Sequence, residues 1–269
     1  METALKDKKP GNLPDVKKVL DYYGLEDLIL KYEAFEGVSV KSYPLISGKR
    51  IYHLSYGEGG NRLVSVCGLH GNERSSAQFW YKSLNELIEK GMPKDTRYSV
   101  VAPANPDGLK YNNRHNSHGM DLNRDWYELS QAETKAIKSV IDEQDCRTIV
   151  FDHHECMDDP LYFLEDPGSV RMSRIRDSFF KELYKELEKH SLPIGDFFYP
   201  YTNRHTGEAA RSGQLINYTA PKKMFSLIVE NMGQCMGEEL LDKRMQAHAS
   251  VDLAGLRTLS RLKTRKRSL

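Results

Sequence analysis

Few features of the chain mark a secreted or membrane-spanning protein. Its 269 residues include four cysteines, and no two of them form a CxxC pair. Scattered cysteines favour buried free thiols in a reducing compartment over a disulfide framework. The sequence has no run of about 18 apolar residues, the length that spans a membrane. Residues 1–10 also lack the apolar stretch of a signal peptide. These absences predict a cytoplasmic protein that has no membrane partner.

An excess of charge of either sign is also missing. Lysine and arginine number 39 and aspartate and glutamate number 38, so the formal net charge is +1. This balance does not favour a nucleic-acid partner, whose phosphates attract strongly basic surfaces. The exception is the basic tail 261–269. We interpret this tail as the exposed end of the last helix, with contact to phosphates or to a membrane surface as the weaker alternative.

The hydrophobic content of 39% is enough for one sizeable core. No internal repeat, low-complexity segment or linker divides the sequence. Residues 1–269 are therefore predicted to form one domain, with an N-terminal helix over residues 14–35 and the basic tail as extensions.

Strand and helix patterns alternate along the rest of the chain. Short apolar runs bounded by turn residues indicate buried strands at 63–69, 98–102, 148–151 and 225–229. Amphipathic stretches indicate helices at about 75–90, 130–144, 169–190 and 237–263. Ser130 and Glu133 form a capping-box pattern at the start of the second of these helices. The alternation predicts an α/β fold in which helices cover both faces of the sheet.

Polar residues follow three of the predicted strands. His70 comes after the first strand, His154 after the third and Glu230 after the fourth. Ligands of open α/β sheets bind beyond the carboxyl ends of the strands. A polar stretch at 105–126 shows neither helical nor strand periodicity, and a loop of that length in a compact domain is usually functional. We therefore expect a functional site at this edge of the sheet.

His70 and Glu73 are the first candidates for metal ligands. A catalytic zinc site has three protein ligands and leaves one position for water. A tight turn at a strand end can aim residues i and i+3 at one point, and Gly71 supplies backbone freedom for such a turn. The HxxE pattern alone is a weak signal, because polar loops produce it by chance.

His154 is the candidate for the third ligand. Side chains alternate along an extended segment, so His154 shares a face with Asp152, whereas the competing His153 points the other way. Asp152 is expected to accept a hydrogen bond within the site and to orient its surroundings.

Four further residues suit the chemistry of such a site. Glu230 is positioned to exchange protons with a metal-activated water and a leaving amine. Arg114, Asn123 and Arg124 lie in the long polar stretch, and guanidinium groups bind carboxylates and stabilise developing oxyanions. Taken one at a time, each of these residues is more simply explained as a solvated surface side chain.

The motifs together are more specific than any one of them. They occur in a fixed order: His-Gly-Asn-Glu at 70–73, Asn-Pro-Asp-Gly at 105–108, Asp-Leu-Asn-Arg at 121–124, Asp-His-His-Glu at 152–155 and the strand-terminal Glu230. Over residues 60–235 the sequence resembles the zinc metallocarboxypeptidase superfamily, related to carboxypeptidase A. Its short length makes it more similar to compact bacterial members, including murein-peptide amidases, than to the digestive enzymes.

The resemblance implies a fold and a set of roles. The fold would be a three-layer α/β/α sandwich with a mixed, mostly eight-stranded sheet. One zinc ion would be held by His70, Glu73 and His154, and Glu230 would be the general base and then the general acid. Asn123 and Arg124 would bind the terminal carboxylate of a peptide substrate. Arg114, a looser match in its motif, would polarise the scissile carbonyl.

The chain departs from the digestive members in the segment 195–215. Those enzymes carry a mobile tyrosine four residues before a Ser-Gly pair; the pair is present here as Ser212-Gly213, but the tyrosine position reads Ala209. Tyr199 or Tyr201 is the proposed substitute. The charged residues of the same segment are expected to line the mouth of the site, unless they form an exposed loop: Arg204, His205, Glu208 and Arg211.

Two other functions remain open from the sequence. His-Gly-Asn-Glu also occurs in related N-acyl-amino-acid deacylases of the aspartoacylase and succinylglutamate desuccinylase group, whose substrates also carry a free carboxylate. Asn-Pro-Asp-Gly favours the peptidase branch. Asn72 replaces an arginine that the digestive enzymes have before the glutamate ligand. A non-catalytic binding protein on the same scaffold is the third reading, and the presence of every candidate ligand and of Glu230 counts against it.

Overall fold

The structure of the protein is a computed structural model. The structure describes residues 12–144, 148–156, 162–165, 170–192, 198–200, 214–222, 224–232 and 240–262. Within these ranges eight strands form one mixed sheet, in the order β1-β2-β4-β3-β5-β8-β6-β7. The strands are β1 (Val38–Pro44), β2 (Arg50–Tyr56), β3 (Asn61–Cys67), β4 (Thr96–Ala102), β5 (Thr148–Cys156), β6 (Tyr162–Glu165), β7 (Phe198–Pro200) and β8 (Phe225–Met232).

The centre of the sheet is parallel. Strands β4, β3, β5 and β8 run side by side in one direction, so their carboxyl ends meet at one edge. The outer strands β2 and β6 pair antiparallel with this centre. The mixed eight-stranded sheet that the resemblance implies is therefore confirmed.

Helices cover both faces. They are α1 (Tyr22–Tyr32), α2 (Arg74–Gln78), α3 (Trp80–Lys90), α4 (Pro106–Tyr111), α5 (Ala132–Asp142), α6 (Val170–Lys189), α7 (Leu215–Thr219) and α8 (Leu241–Arg261). One buried cluster joins α1, α3, α6 and α8 to one face of the sheet, and a second joins α5 and α7 to the other. Alternate strand residues enter each cluster, as a sheet covered on both sides requires. This is the predicted α/β/α sandwich.

The predicted N-terminal helix over 14–35 is wrong over its first part. The helix begins only at Tyr22, where the Asp21 side chain accepts a hydrogen bond of 2.9 Å from the Gly24 N–H. Residues 12–20 are not helical, and their backbone is bound by the neighbouring helices instead. The Leu20 N–H donates to Gln78 Oε1 at 2.8 Å, and the Tyr81 hydroxyl donates to the Val16 carbonyl at 3.0 Å. These long-range partners outcompete the helical periodicity of the segment.

The polar stretch 105–126 also contains more regular structure than its sequence predicts. Helix α4 opens with Pro106, and the Asn105 side chain caps it by accepting from the Gly108 N–H at 2.9 Å. A 3-10 turn follows at Leu122–Arg124, capped by Asp121. Local hydrogen bonds of asparagine and aspartate, which also favour turns, start both helical segments here.

No helix in the described part of the chain is both long enough and apolar enough to cross a membrane. Residues 263–269 of the basic tail lie outside the described residues, as do Cys146 and Cys235. Cys67 is a buried free thiol. The predicted location in the cytoplasm stays a prediction.

A buried histidine on β2 predicts a loss of stability in weak acid. His53 is 7% exposed, and neither ring nitrogen has a hydrogen-bond partner among the described residues. Burial, reinforced by Lys41 and Arg97, lowers the pKa of His53 to about 4, from the usual value of about 6.5. Between these values the unfolded chain binds a proton that the folded chain does not. The stabilisation is therefore complete above the unfolded pKa and is lost as the pH falls through the folded one.

We expect this single group to remove about 2 kcal/mol from the free energy of unfolding between pH 7 and pH 5. Urea denaturation of the metal-free wild type and of His53→Leu at the two pH values measures the difference. Leucine is apolar and does not titrate, so the variant should lose less stability in acid. Equal losses in the two proteins would show that His53 is not the responsible group.

Candidate metal centre

His70 and Glu73 face each other across a tight turn that follows β3. The Glu73 N–H donates to the His70 carbonyl at 3.1 Å, and His70 Nδ1 lies 2.7 Å from Glu73 Oε1. Gly71 is required for a different reason from the one that the sequence suggests. A Cβ on Gly71 would lie 1.9 Å from the backbone carbon of Gly108, so close approach to α4, not a left-handed backbone, excludes a side chain.

His154 completes a group of three buried ligand candidates. It lies near the end of β5, with Nδ1 2.9 Å from Glu73 Oε2 and 3.1 Å from His70 Nδ1. All three side chains are almost inaccessible to solvent. Two imidazole nitrogens and one carboxylate therefore converge on a single point, with ligand atoms within 4.8 Å of one another. This donor set fits zinc, which is commonly held by histidine nitrogen and carboxylate oxygen.

One other triad of the described residues brings candidate ligand atoms together: Glu86, Glu186 and His190. Its carboxylates already have cationic partners. Arg257 and Lys189 pair with both Glu86 and Glu186. These ion pairs explain the acidic residues without a metal.

Each histidine of the buried cluster has a second carboxylate behind it. Asp121 Oδ1 lies 3.1 Å from His70 Nε2, and Asp152 Oδ2 lies 3.0 Å from His154 Nε2. The Asp152 contact is a close ion pair, and neither of its oxygens makes a well-aligned hydrogen bond to the described residues. Carboxylates in this position fix the tautomer and orientation of metal-binding histidines, leaving Nδ1 to face the metal.

Asp121 is a candidate functional residue to which the sequence interpretation assigned no role. In addition to His70, it binds Arg114 through Oδ2, at 3.0 Å from Nη2 and 3.1 Å from Nε, and accepts the Asn123 N–H at 2.9 Å. A single carboxylate thus holds a candidate ligand and two candidate substrate-binding residues in one arrangement. Its place in the Asp-Leu-Asn-Arg motif, two residues before Asn123, was the feature of the sequence from which a role for Asp121 could have been predicted.

Three residues are candidates for contact with the substrate, and they differ in how far other side chains already bind them. The Arg114 guanidinium is tied to Asp121 and also lies 3.8 Å from Glu73 Oε1. Asn123 is buried, with Nδ2 3.4 Å from His154 Nε2 and with Oδ1 lacking a partner among the described residues. Arg124 is exposed, donates to the Asn123 carbonyl at 2.8 Å and forms no ion pair with any described carboxylate. Of the two guanidinium groups, that of Arg124 is the more available to an anion.

Glu230 occupies the position on β8 directly opposite His154 in the parallel register of β5 and β8. Residues paired in this way on neighbouring strands point to the same face of the sheet. Glu230 is therefore brought to the same edge as the buried cluster. His153, by contrast, points to the other face, where it contacts His248 and Asp252 of α8.

The charges of the cluster shift the titration of its members. Burial favours protonation of Glu73, but His154 and His70 outweigh it and lower the pKa of Glu73 to about 2. Burial opposes a charge on His154 as well, yet Asp152 and Glu73 raise its pKa well above the usual value. For Glu230, burial is the largest cause and raises the pKa; His154 opposes this effect and Glu73 reinforces it. The cluster is thus arranged to keep Glu73 ionised beside a more basic Glu230.

The segment 193–213 lies outside the described residues except for the backbone of β7. The predicted substitutes for the missing tyrosine and the predicted lining of the site mouth fall there or on side chains of β7. They remain predictions: Tyr199, Tyr201, Arg204, His205, Glu208, Ala209, Arg211 and Ser212-Gly213.

Residues 35–155 match the family described as zinc carboxypeptidase, peptidase M14. The matched segment contains the buried cluster and the 121–124 motif, whereas Glu230 lies beyond it. No curated protein matches the chain significantly.

Solved structures extend the likeness over most of the chain. A metallo-carboxypeptidase from Pseudomonas aeruginosa is 20% identical, with 88% of this chain and 68% of that chain covered and a TM-score of 0.68. One from Burkholderia cenocepacia is 18% identical, with 86% and 67% covered and a TM-score of 0.68. A carboxypeptidase A from Helicoverpa armigera is 15% identical, with 91% and 74% covered and a TM-score of 0.71.

The predicted resemblance is therefore confirmed in two ways. The family pattern covers the segment with the buried cluster, and the fold is that of metallocarboxypeptidases. The chain thus resembles zinc carboxypeptidases over residues 35–155 and shares the fold of metallocarboxypeptidases over most of its length.

Proposed function

We propose that the chain hydrolyses a peptide or amide bond next to a free carboxylate, with one zinc ion held by His70, Glu73 and His154. The observation that carries this proposal is the convergence of two Nδ1 atoms on the Glu73 carboxylate, 2.7 and 2.9 Å away. Each histidine also has an aspartate near its far nitrogen, an arrangement common among metal-binding histidines. Peptides with a C-terminal carboxylate are the proposed substrate class.

When bound, zinc supplies Lewis-acid polarisation of the scissile carbonyl and lowers the pKa of water towards neutrality. Glu230 takes the proton of the attacking water and then delivers it to the departing nitrogen. Its raised pKa suits both roles, because a base that is too weak would not accept the proton near neutral pH. Arg114, held by Asp121 beside Glu73, donates hydrogen bonds to the developing oxyanion.

Arg124 and Asn123 bind the terminal carboxylate of the substrate and thereby decide which bond is cleaved. The exposed guanidinium of Arg124 has no described carboxylate partner of its own, which leaves its donors for substrate. The similar Pseudomonas aeruginosa protein was solved in complex with (2-guanidinoethylmercapto)succinic acid, a compound with two carboxylates. Recognition of a carboxylate by this chain is in keeping with that complex.

Replacing Arg124 with alanine is expected to lower kcat/KM about 10- to 100-fold for peptides with a free C-terminus, the value of a charge-assisted hydrogen bond. Peptides with an amidated C-terminus lack the charge, so their slow hydrolysis should not change. Steady-state kinetics on matched free and amidated peptides measures the effect. Arg50→Ala, which removes an exposed arginine bound to Ser42 on β1, is the control. Equal losses on both peptides would contradict the assignment.

The experiment that tests the function itself is product analysis by mass spectrometry. Zinc-loaded protein is incubated with peptides that have free or amidated C-termini, γ-glutamyl-diaminopimelate murein peptides and N-acyl amino acids. Release of a C-terminal residue or of diaminopimelate, much slower from amidated peptides, is the expected result. Cleavage of the acyl amino acids alone would replace the peptidase with a deacylase on the same site. No turnover of any substrate by zinc-loaded protein would contradict both.

A further inference from the structure

Glu155 is a buried carboxylate at the end of β5 that the proposed chemistry does not use. It directly follows His154 and is 5% exposed. A carboxylate in such a position is costly unless its oxygens find donors. Its two hydrogen-bond donors, Ser75 and Ser76, lie in the segment that directly follows Glu73.

The side chain of Glu155 holds the segment that carries Glu73. Its Oε1 accepts hydrogen bonds from the Ser75 hydroxyl and, at 2.8 Å, from the Ser76 N–H. Both serines lie in the first turn of α2, for which Glu73 is the preceding residue. Because α2 has no side-chain cap of its own, Glu155 supplies from another strand the acceptor that the first turn of a helix needs.

The backbone of Glu155 binds the Glu73 side chain directly. The Glu155 N–H donates to Glu73 Oε2 at 3.1 Å, the same oxygen that lies 2.9 Å from His154 Nδ1. One residue therefore holds both the side chain of a candidate ligand and the start of the helix behind it. On the far side, Arg244 of α8 approaches Glu155 Oε2, with Nη1 at 3.9 Å.

We infer that Glu155 is a positioning residue for the metal centre: it fixes Glu73 relative to His154 by joining β5 to the start of α2. This inference rests on the proposed zinc site. Glu155 is not itself a ligand in this arrangement, because Oε1 is bound to the two serines and Oε2 lies towards Arg244. Removal of its carboxylate frees the α2 turn, and Glu73 loses the fixed geometry that tight zinc binding requires.

The test is zinc affinity, measured by competition with a chromophoric chelator. Glu155→Ala is expected to weaken zinc binding about 10- to 100-fold, the usual effect of losing an outer partner of a metal ligand. Glu155→Gln keeps an oxygen acceptor for Ser75 and Ser76 and should bind zinc within about threefold of the wild type. Ser75→Ala removes one of the two donors and should fall between them. It also serves as the second variant if Glu155→Ala does not fold.

Glu182→Ala, which removes a buried glutamate of α6 that is paired with Lys185 and Arg261, controls for general destabilisation. It should leave zinc affinity unchanged, even where its thermal stability falls. Wild-type zinc affinity in folded Glu155→Ala would overturn the inference, and so would equal impairment of Glu155→Gln and Glu155→Ala. Peptide hydrolysis is recorded separately. If zinc affinities fall in the expected order among the variants but no protein hydrolyses a peptide, the proposed function is contradicted and the positioning role stands.

Discussion

Glu230→Gln is expected to lower kcat by about 10²- to 10⁴-fold, the usual contribution of a positioned general acid and base. Glutamine has the shape of glutamate and can still accept a hydrogen bond, but it cannot take a proton from water or pass one to the leaving nitrogen. The substitution should leave the proposed metal site intact. Glu230 is opposite His154 in the sheet register and makes no hydrogen bond to the three proposed ligands. Zinc content and substrate KM are therefore expected to stay close to those of the wild type.

Stopped assays with a free-carboxylate peptide, together with metal analysis of the same preparations, measure this effect. Glu133→Gln is a matched control, because burial raises the pKa of Glu133 too and its side chain lies at the start of α5, bound to Asn116. The control should keep wild-type turnover. Comparable activity in purified Glu230→Gln would rule out the proton-transfer role, whereas joint loss of zinc and activity would point to a structural one.

The main elements of the fold could be predicted because their signals are local and repeated. The strand that ends before His70 and the strand that ends in His154 are short apolar runs, and a parallel sheet buries such runs on both faces. Once these strands are parallel neighbours, as β3 and β5 are, residues after them must meet at one edge. The contact between His70 and His154 follows from that geometry. Alternation along β5 likewise placed His154, and not His153, on the face of the site.

Predictions that depended on one local motif were less secure. Ser130 and Glu133 form a capping-box pattern, but α5 begins only at Ala132 and no side chain caps it. The segment before the helix is held instead by Asp125 of the preceding loop. Its carboxylate accepts from the N–H groups of Ser130 and Gln131, both at 2.9 Å, and from the Thr134 hydroxyl. The Ser130 hydroxyl itself donates to Asp125 Oδ1 at 2.6 Å. The serine that its place in the sequence makes a candidate cap is therefore bound by an ionised acceptor that the fold brings close.

The same limit applies to the residues that support the site. Asp121 and Glu155 stand inside motifs that the sequence identifies, yet their importance lies in partners far along the chain. Asp121 reaches His70 and Glu155 reaches Ser75, across separations of 51 and 80 residues. No periodicity encodes such contacts. They become visible only when β3, β5 and the 121–124 turn are assembled.

Zinc loading is expected to stabilise the wild type strongly and Glu73→Gln much less. A ligand that binds only the folded state raises the free energy of unfolding by about 4 kcal/mol at 1,000 times its Kd. Glutamine keeps the volume of Glu73 but removes the negative charge between the two imidazoles, so zinc affinity should fall by more than about 100-fold, beyond the loss of an outer partner. Thermal unfolding with and without added zinc, combined with zinc titration of the metal-free protein, measures both effects.

The number of ions is decided by the same titration. We expect one zinc per chain, because the second acidic group, around Glu186, is already neutralised by Arg257 and Lys189. Glu186→Gln is therefore the matched control: it should keep a stoichiometry of one and the full zinc-dependent stabilisation. A stoichiometry of two that falls to one in Glu186→Gln would mean that those ion pairs give way to a metal. Undiminished zinc binding in Glu73→Gln would remove the buried cluster from the list of metal sites, and with it the basis on which Glu230 was assigned as the base.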